Sequence, residues 1–173
     1  MAITRLNNNS ITSVTALPSG IPTGKVLQVQ QLTKTDSSTY SLATDTLTTF
    51  WTQTITPSST SNKILVDFNV YFGQQDVDAQ PYIVLRRNGS DIFRANNIGS
   101  RKSSTAGPNT FGPDATRIAK QIYLDSPSST SSVSYTLNLG GFGSRTFYIN
   151  IPDTNADYVA TCTSTFTLME IAG

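Results

Sequence analysis

Apolar and polar residues alternate along most of the chain after residue 25, and this period of two constrains the fold more than any other feature of the sequence. The clearest run is KILVDFNVYF at 63–72, where every second residue from Ile64 to Phe72 is apolar. Successive side chains of a strand point to opposite faces of its sheet. The run therefore predicts a strand with one face in a core and the other face toward solvent.

Similar runs recur down the chain and predict an all-β fold. They lie at 25–34, 50–57, 81–87, 91–94, 116–126, 133–139, 147–151 and 161–173. The chain holds a single Glu and few other strong helix formers, which disfavours helices. About eight or nine short antiparallel strands are typical of a β-sandwich of jelly-roll type, and this is the fold class that we predict.

Two stretches carry the residues of tight turns. Asn88 and Gly89 separate two strand-like runs, and both residues tolerate the positive φ that a two-residue hairpin turn requires. The glycine cluster at Gly140–Gly143 separates two further runs, 133–139 and 147–151. The sequence therefore predicts two hairpins, one at each position.

Length and charge exclude several classes of partner. A chain of 173 residues suits one domain with a substantial core. With a net charge of +1 and 13 % charged residues, it lacks the clustered Lys and Arg that nucleic-acid capture needs. No apolar stretch approaches the roughly 20 residues of a membrane span, so we predict neither nucleic acid nor membrane insertion. The opening MAITRLNNNS lacks the apolar core of a signal peptide, which favours synthesis in a cytoplasm.

The residues needed for most catalytic sites are missing from the sequence. The chain has no histidine, the commonest base and transition-metal ligand, and its single Cys162 is best interpreted as a small core residue. Asp76 and Asp78 form a close carboxylate pair, which would suit a calcium site or simply a solvated loop, and the loop is the favoured interpretation. We predict no enzyme activity, no cofactor and no metal site.

A segment of some 20 residues at 96–117 is too long for an ordinary connection, and loops of this length often carry function. It is our candidate for an outward receptor loop. Its candidate residues are Arg101, Lys102, Asn109 and Phe111. Trp51 and the seven tyrosines would also suit a sugar-binding surface, although core or subunit contacts are the favoured interpretation because they fall in alternating strands.

Both ends of the sequence carry apolar residues where chain ends normally fray. Residues 1–25 are rich in Pro, Gly and hydroxyl groups, so we divide the chain into an extended arm at 1–25 and a β-sandwich body at 26–173. At the other end, Met169 and Ile171 share the face that is otherwise lined by Thr. We predict that a neighbouring subunit covers Met169 and Ile171.

Several motifs resemble one group of proteins along nearly the whole length of the chain. They are MAITRLNNNSIT, ALPSGIPTGKVLQVQ, SSTSNKILV, LDSPSSTSSVSYTL and the final MEIAG. The chain resembles small virion structural proteins, described as tail-fibre-like, of marine tailed bacteriophages including cyanophage-type viruses. The resemblance implies a non-enzymatic, all-β fibre, knob or decoration protein of the virion, made in the bacterial cytoplasm, and a homotrimer.

On that interpretation the arm anchors the protein to other virion proteins. Extended at about 3.3 Å per residue, it would reach roughly 60–80 Å, and its prolines would lose little entropy on docking. The predicted anchor residues are Asn7, Asn8, Asn9, Leu17, Pro18, Ile21 and Pro22. Two functions stay open: an architectural module, or a tip that binds a receptor or glycan on the host cell surface.

Overall fold

A computed structural model describes residues 24–107 and 112–173. Those residues form ten strands, joined by loops. The strands are β1 (Val26–Lys34), β2 (Ser38–Leu42), β3 (Thr48–Ile55), β4 (Lys63–Gln74), β5 (Tyr82–Arg87), β6 (Ser90–Asp91), β7 (Arg117–Asp125), β8 (Val133–Gly140), β9 (Arg145–Ile149) and β10 (Ser164–Ile171). Within the described ranges no helix is long and apolar enough to cross a membrane.

The strands pair as one long hairpin folded from its two ends toward its middle. β1 pairs with β10, β2 with β9, β3 with β8, β4 with β7 and β5 with β6, each pair antiparallel. This nested hairpin then rolls up, because β10 and β9 both pair with β4 while β8 pairs with β5. A rolled hairpin of this kind is the jelly-roll topology, so the predicted fold class is confirmed.

Rolling the hairpin gives two sheets that face each other. A six-stranded sheet has the order β1-β10-β4-β9-β2, with β7 on the other edge of β4, and a four-stranded sheet has the order β3-β8-β5-β6. The sequence predicts eight or nine strands, and β2 is not among them because its sequence STYSL has little apolar alternation. β2 forms nonetheless, because β9 offers it an edge to pair with.

The core lies between the two sheets and contains the alternating apolar residues that the sequence predicts to be buried. From the larger sheet, every second residue of β4 from Ile64 to Phe72 is at most 1 % exposed. The smaller sheet contributes Leu85, Tyr135 and Leu137, all fully buried. Trp51 is also buried, whereas Tyr158 is 72 % exposed, so the interpretation of the aromatic residues as core holds for Trp51 and Tyr135 but not for Tyr158.

One predicted hairpin is confirmed and the other is wrong. Asn88 has φ 48° and Gly89 has φ 83°, and they join β5 to β6 in a two-residue turn. Gly140–Gly143 instead carries the chain from β8 in the smaller sheet to β9 in the larger sheet. The glycines are needed there for close packing, since a Cβ on Gly141 would lie 2.2 Å from the ring of Phe147.

The structure describes the start of the predicted body but not the predicted arm. β1 begins at Val26, and Lys25 accepts a hydrogen bond at 2.9 Å from the backbone amide of Ala172. Arm residues 1–23, which include all seven predicted anchor residues, lie outside the described residues, as do Asn109 and Phe111. The arm therefore stays a prediction.

Candidate functional site

The larger sheet has an outer face, which points away from the smaller sheet and carries an unusual set of side chains. Directly paired residues of antiparallel strands place their side chains on the same face. Val29 pairs with Met169, Met169 with Leu65, and Leu65 with Leu124. These four residues form a continuous row, here called the apolar row, that crosses β1, β10, β4 and β7 from one edge to the other.

The two ends of the apolar row are open to solvent. Val29 is 52 % exposed and Leu124 is 48 % exposed, while Leu65 and Met169 between them are half-buried. Along β7 the same face continues through Ile122 and Ile118, which are 53 % and 44 % exposed. Large exposed apolar patches on soluble proteins are commonly contact sites, so this part of the outer face is the candidate interaction surface.

Toward one end of its strands, the outer face carries mainly polar side chains beside the apolar row. The row next to the apolar row contains Gln31 and Thr167, and Gln31 Nε2 donates to Thr167 Oγ1 at 2.9 Å. The row after that consists of Thr33, Thr165, Asn69 and Lys120. The apolar row is therefore bordered on this side by polar side chains, of which Gln31 is exposed and Thr167 is buried.

Met169 and Ile171, the predicted subunit contacts, both lie on the outer face. They are half-buried, because β10 lies between β1 and β4 rather than at an edge. The chain end is also held from within, since Gly173 N donates to Asn62 Oδ1 at 3.2 Å. The last strand is therefore held within the chain itself, so fraying gives no reason for a subunit to cover it. The subunit contact at Met169 and Ile171 stays a prediction.

Glu170, next to Met169, points the other way and is only 1 % exposed. Its Oε1 accepts from the amide and hydroxyl of Ser58 and from Asn62 Nδ2, and its Oε2 accepts from Gln28 Nε2, at 2.6–2.8 Å. Burial alone would raise the pKa of Glu170, but the hydrogen bonds from Asn62, Gln28 and Ser58 outweigh burial and lower it to about 2. All its acceptor capacity is used, so this carboxylate has a structural role.

A second buried carboxylate, Asp125, joins the two sheets. Arg87 Nη1 donates to both carboxylate oxygens at 2.9 and 2.8 Å, and the hydroxyl of Tyr135 donates to Oδ2 at 2.6 Å. The hydrogen bond to Asp125 raises the pKa of Arg87, and burial followed by the same carboxylate raises the pKa of Tyr135. No local sequence signal shows this partner of Arg87, because the carboxylate is 38 residues away in sequence.

The carboxylate of Asp76 contacts Arg145 of β9 and the backbone of its own loop. Asp76 Oδ2 lies 2.8 Å from Arg145 Nε, and Asp76 Oδ1 accepts from the backbone amide of Asp78 at 2.9 Å. Among residues 24–107 and 112–173, no three His, Cys, Asp or Glu side chains group closely enough to hold a metal ion. Cys162 precedes β10 and is half-buried, with its Sγ 3.7 Å from Thr116 Oγ1.

The long loop is partly fixed to the body. Ala106 and Thr105 exchange backbone hydrogen bonds with Ile83, and Thr105 Oγ1 accepts from Leu85 N at 2.9 Å. This contact covers the edge of β5 beyond the short strand β6. Residues 96–102 project from this anchor and are exposed.

Arg101 and Lys102 line an open cleft of about 580 Å³, here called the loop cleft. Its other lining residues are Gln80, Tyr82, Ser100 and Phe142. Lys102 Nζ forms an ion pair with Asp45 Oδ1 at 2.5 Å, and this hydrogen bond raises the pKa of Lys102. The sequence predicts the two cations and includes Tyr82 among the tyrosines that would suit a sugar-binding surface, whereas Phe142 is not among the candidates.

Two rings form the apolar part of the loop cleft. Tyr82 pairs across the sheet with Gly140, and a Cβ there would lie 2.4 Å from the Tyr82 ring, so the ring covers the bare backbone of that glycine. Phe142 is 57 % exposed, and its backbone amide donates to Ala79 O at 3.0 Å. A second, smaller cavity of about 170 Å³ lies beside Tyr148 and Asp153, and the hydrogen bond to Asp153 raises the pKa of Tyr148 to about 12.

No family model and no curated protein matches the chain. Among solved structures it is similar to the crystal structure of the infectious bursal disease virus VP2 subviral particle, with 9 % identity and a TM-score of 0.47 over 83 % of this chain and 40 % of that one. It is also similar to the structure of infectious bursal disease virus Gx strain, with 9 % identity and a TM-score of 0.42 over 84 % and 42 % of the two chains. The chain spans about two fifths of the length of these two proteins.

Proposed function

We propose that the chain is a non-enzymatic structural protein of a virion, which assembles with copies of itself and with other virion proteins. The observation that carries this proposal is the apolar row, with its exposed continuation along β7. The proposed assembly is a homotrimer that forms a fibre, knob or decoration module. The proposal also draws on the resemblance of the sequence motifs to phage virion proteins.

The energetics favour a covered outer face. Burying a half-exposed Val, Leu or Ile side chain on association gains roughly 1 kcal/mol, and several such residues lie side by side here. The polar side chains beside them would form the hydrated rim that specific interfaces have. In a homotrimer each contact joins two different surfaces of neighbouring copies, so the apolar row of one copy would pack against another surface of the next copy.

The proposal of a non-enzymatic role is supported by the state of the buried acids. Glu170 and Asp125 are the buried carboxylates of the described ranges, and each is saturated by hydrogen bonds from neighbouring side chains. Jelly rolls occur in capsid proteins and in lectins, so the fold alone does not choose between architecture and sugar binding. The apolar row favours a structural role over sugar binding.

The test is a pair of substitutions on one strand face. Val29 and Thr33 both lie on the outer face of β1 and are both exposed, but only Val29 belongs to the apolar row. We expect Val29→Lys to weaken self-association at least tenfold in analytical ultracentrifugation, because it places a charge in the contact. Thr33→Lys should leave self-association unchanged. Equal effects of the two substitutions would contradict the proposed surface.

A second candidate function, binding of a host-surface glycan, is favoured by the loop cleft. It brings exposed Phe142 together with Arg101, a combination that suits sugar recognition. The two functions are compatible, since the loop cleft and the apolar row share no residue. The arm, with Asn7–Asn9, Leu17 and Ile21, is proposed as the contact to other virion proteins.

A further inference from the structure

We propose that the loop cleft binds a sugar that carries a carboxylate, such as a uronic acid unit of an acidic polysaccharide. This inference rests on the second candidate function and names the class of glycan. It is independent of self-association through the apolar row.

The charge of the loop cleft is the first argument. Lys102 is neutralised by its ion pair with Asp45. The guanidinium of Arg101 has no hydrogen-bond or ion-pair partner among the described residues, and Arg101 is exposed. One uncommitted guanidinium matches one carboxylate, to which it can donate two parallel hydrogen bonds.

The aromatic residues are the second argument, because they distinguish a sugar from a simple anion. Phe142 presents a largely exposed ring at the cleft, and Tyr82, with 9 % exposure, also lines it. A pyranose ring has an apolar face of C–H groups that packs on such a ring, whereas inorganic phosphate has no such face. Ser100 and Gln80 supply hydroxyl and amide groups for the sugar hydroxyls.

The backbone next to Phe142 is held in place on one side of the loop cleft. Gln80 has φ 43°, a left-handed conformation that is strained for a residue other than Gly. It is fixed between buried Ala79 and Pro81, and Ala79 O accepts from the amide of Phe142. A preformed cleft loses little conformational entropy on binding.

The experiment is a titration of the full chain, followed by NMR, with sodium glucuronate, with methyl glucoside as the neutral sugar, and with inorganic phosphate. We expect glucuronate to bind about tenfold more tightly than methyl glucoside. Arg101→Gln should abolish this preference, and Phe142→Ala should weaken binding of both sugars about fivefold. Both residues are exposed, so both variants should keep the unfolding temperature of the wild type.

Matched controls lie elsewhere on the molecule. Lys120→Gln removes an exposed cation from the other sheet, and Tyr158→Ala removes an exposed ring from the loop between β9 and β10, so neither should change sugar binding. Equal affinity for glucuronate and methyl glucoside would overturn the carboxylate inference and leave glycan binding standing. Binding of neither sugar would overturn both, and phosphate binding as tight as that of glucuronate would overturn the inference by showing a simple anion site.

Discussion

At the scale of single residues, Glu170 shows how a buried charge is stabilised without a cation. Its donors are two amide side chains, one hydroxyl and one backbone amide. These groups favour the ionised carboxylate, so the pKa in the folded state is about 2, against an ordinary value of 4.5. A lowered pKa contributes stability that is present above pH 4.5 and is lost as the pH falls toward 2.

Glu170→Gln tests this account. The amide turns an acceptor into a donor that faces other donors, so we expect the free energy of unfolding at pH 7 to fall by about 1–3 kcal/mol. The difference from the wild type should shrink as the pH is lowered through the window from 4.5 to 2, because the wild type itself becomes protonated there. Urea unfolding at several pH values measures this difference. A constant difference across that window would contradict the account.

Gly140 gives a second prediction at the residue scale. A Cβ at Gly140 would meet the Tyr82 ring at 2.4 Å, so Gly140→Ala should displace that ring and destabilise the fold by about 1–3 kcal/mol. Gly112 is the control, since a Cβ there meets nothing within 4 Å and Gly112→Ala should change stability by less than about 0.5 kcal/mol. Thermal unfolding compares the two. Similar stability of the two variants would show that the Tyr82 ring moves freely.

At the scale of secondary-structure elements, Asp125 joins β7 of the larger sheet to β5 and β8 of the smaller sheet through Arg87 and Tyr135. Asp125→Asn should cost about 3 kcal/mol, because it removes the buried carboxylate charge that pairs with the partly exposed Arg87. Asp91 also pairs with two arginines, Arg86 and Arg94, but its side chain is 31 % exposed. Asp91→Asn should therefore cost at most about 1 kcal/mol.

Denaturant unfolding at neutral pH measures both substitutions under the same conditions. Asp125 has a relative exposure of 4 %, so the contrast with Asp91 tests whether burial decides the strength of an ion pair in this fold. Equal losses of stability in the two variants would contradict that interpretation.

The elements also show what the sequence can predict. The strand at 63–72 and the turn at Asn88 and Gly89 follow from local signals, namely side-chain alternation and tolerance of positive φ. The sheet to which a strand belongs is not a local property. β8 and β9 therefore looked like a hairpin although they lie in different sheets, and β2 was missed because its pairing with β9 defines it.

In the candidate sites too, some residues follow from local sequence signals and others only from the fold. Arg101 and Lys102 could be chosen from the long loop, whereas Tyr82 and Phe142 reach the loop cleft from sequence positions far from that loop. Val29, Leu65 and Leu124 come together only through the register of four strands. No pattern within one strand shows that such residues form a row.

At the scale of the whole molecule, the nested strand pairs build a sandwich whose larger sheet has one face in the core and one face open. The open face carries the apolar row, and the proposed function requires a second copy of the chain to cover it. The most direct measurement is the mass of the full chain in solution, determined by light scattering over a range of concentrations. The account predicts a species of three times the 18.7 kDa chain, and a mass of 18.7 kDa at every concentration would contradict it.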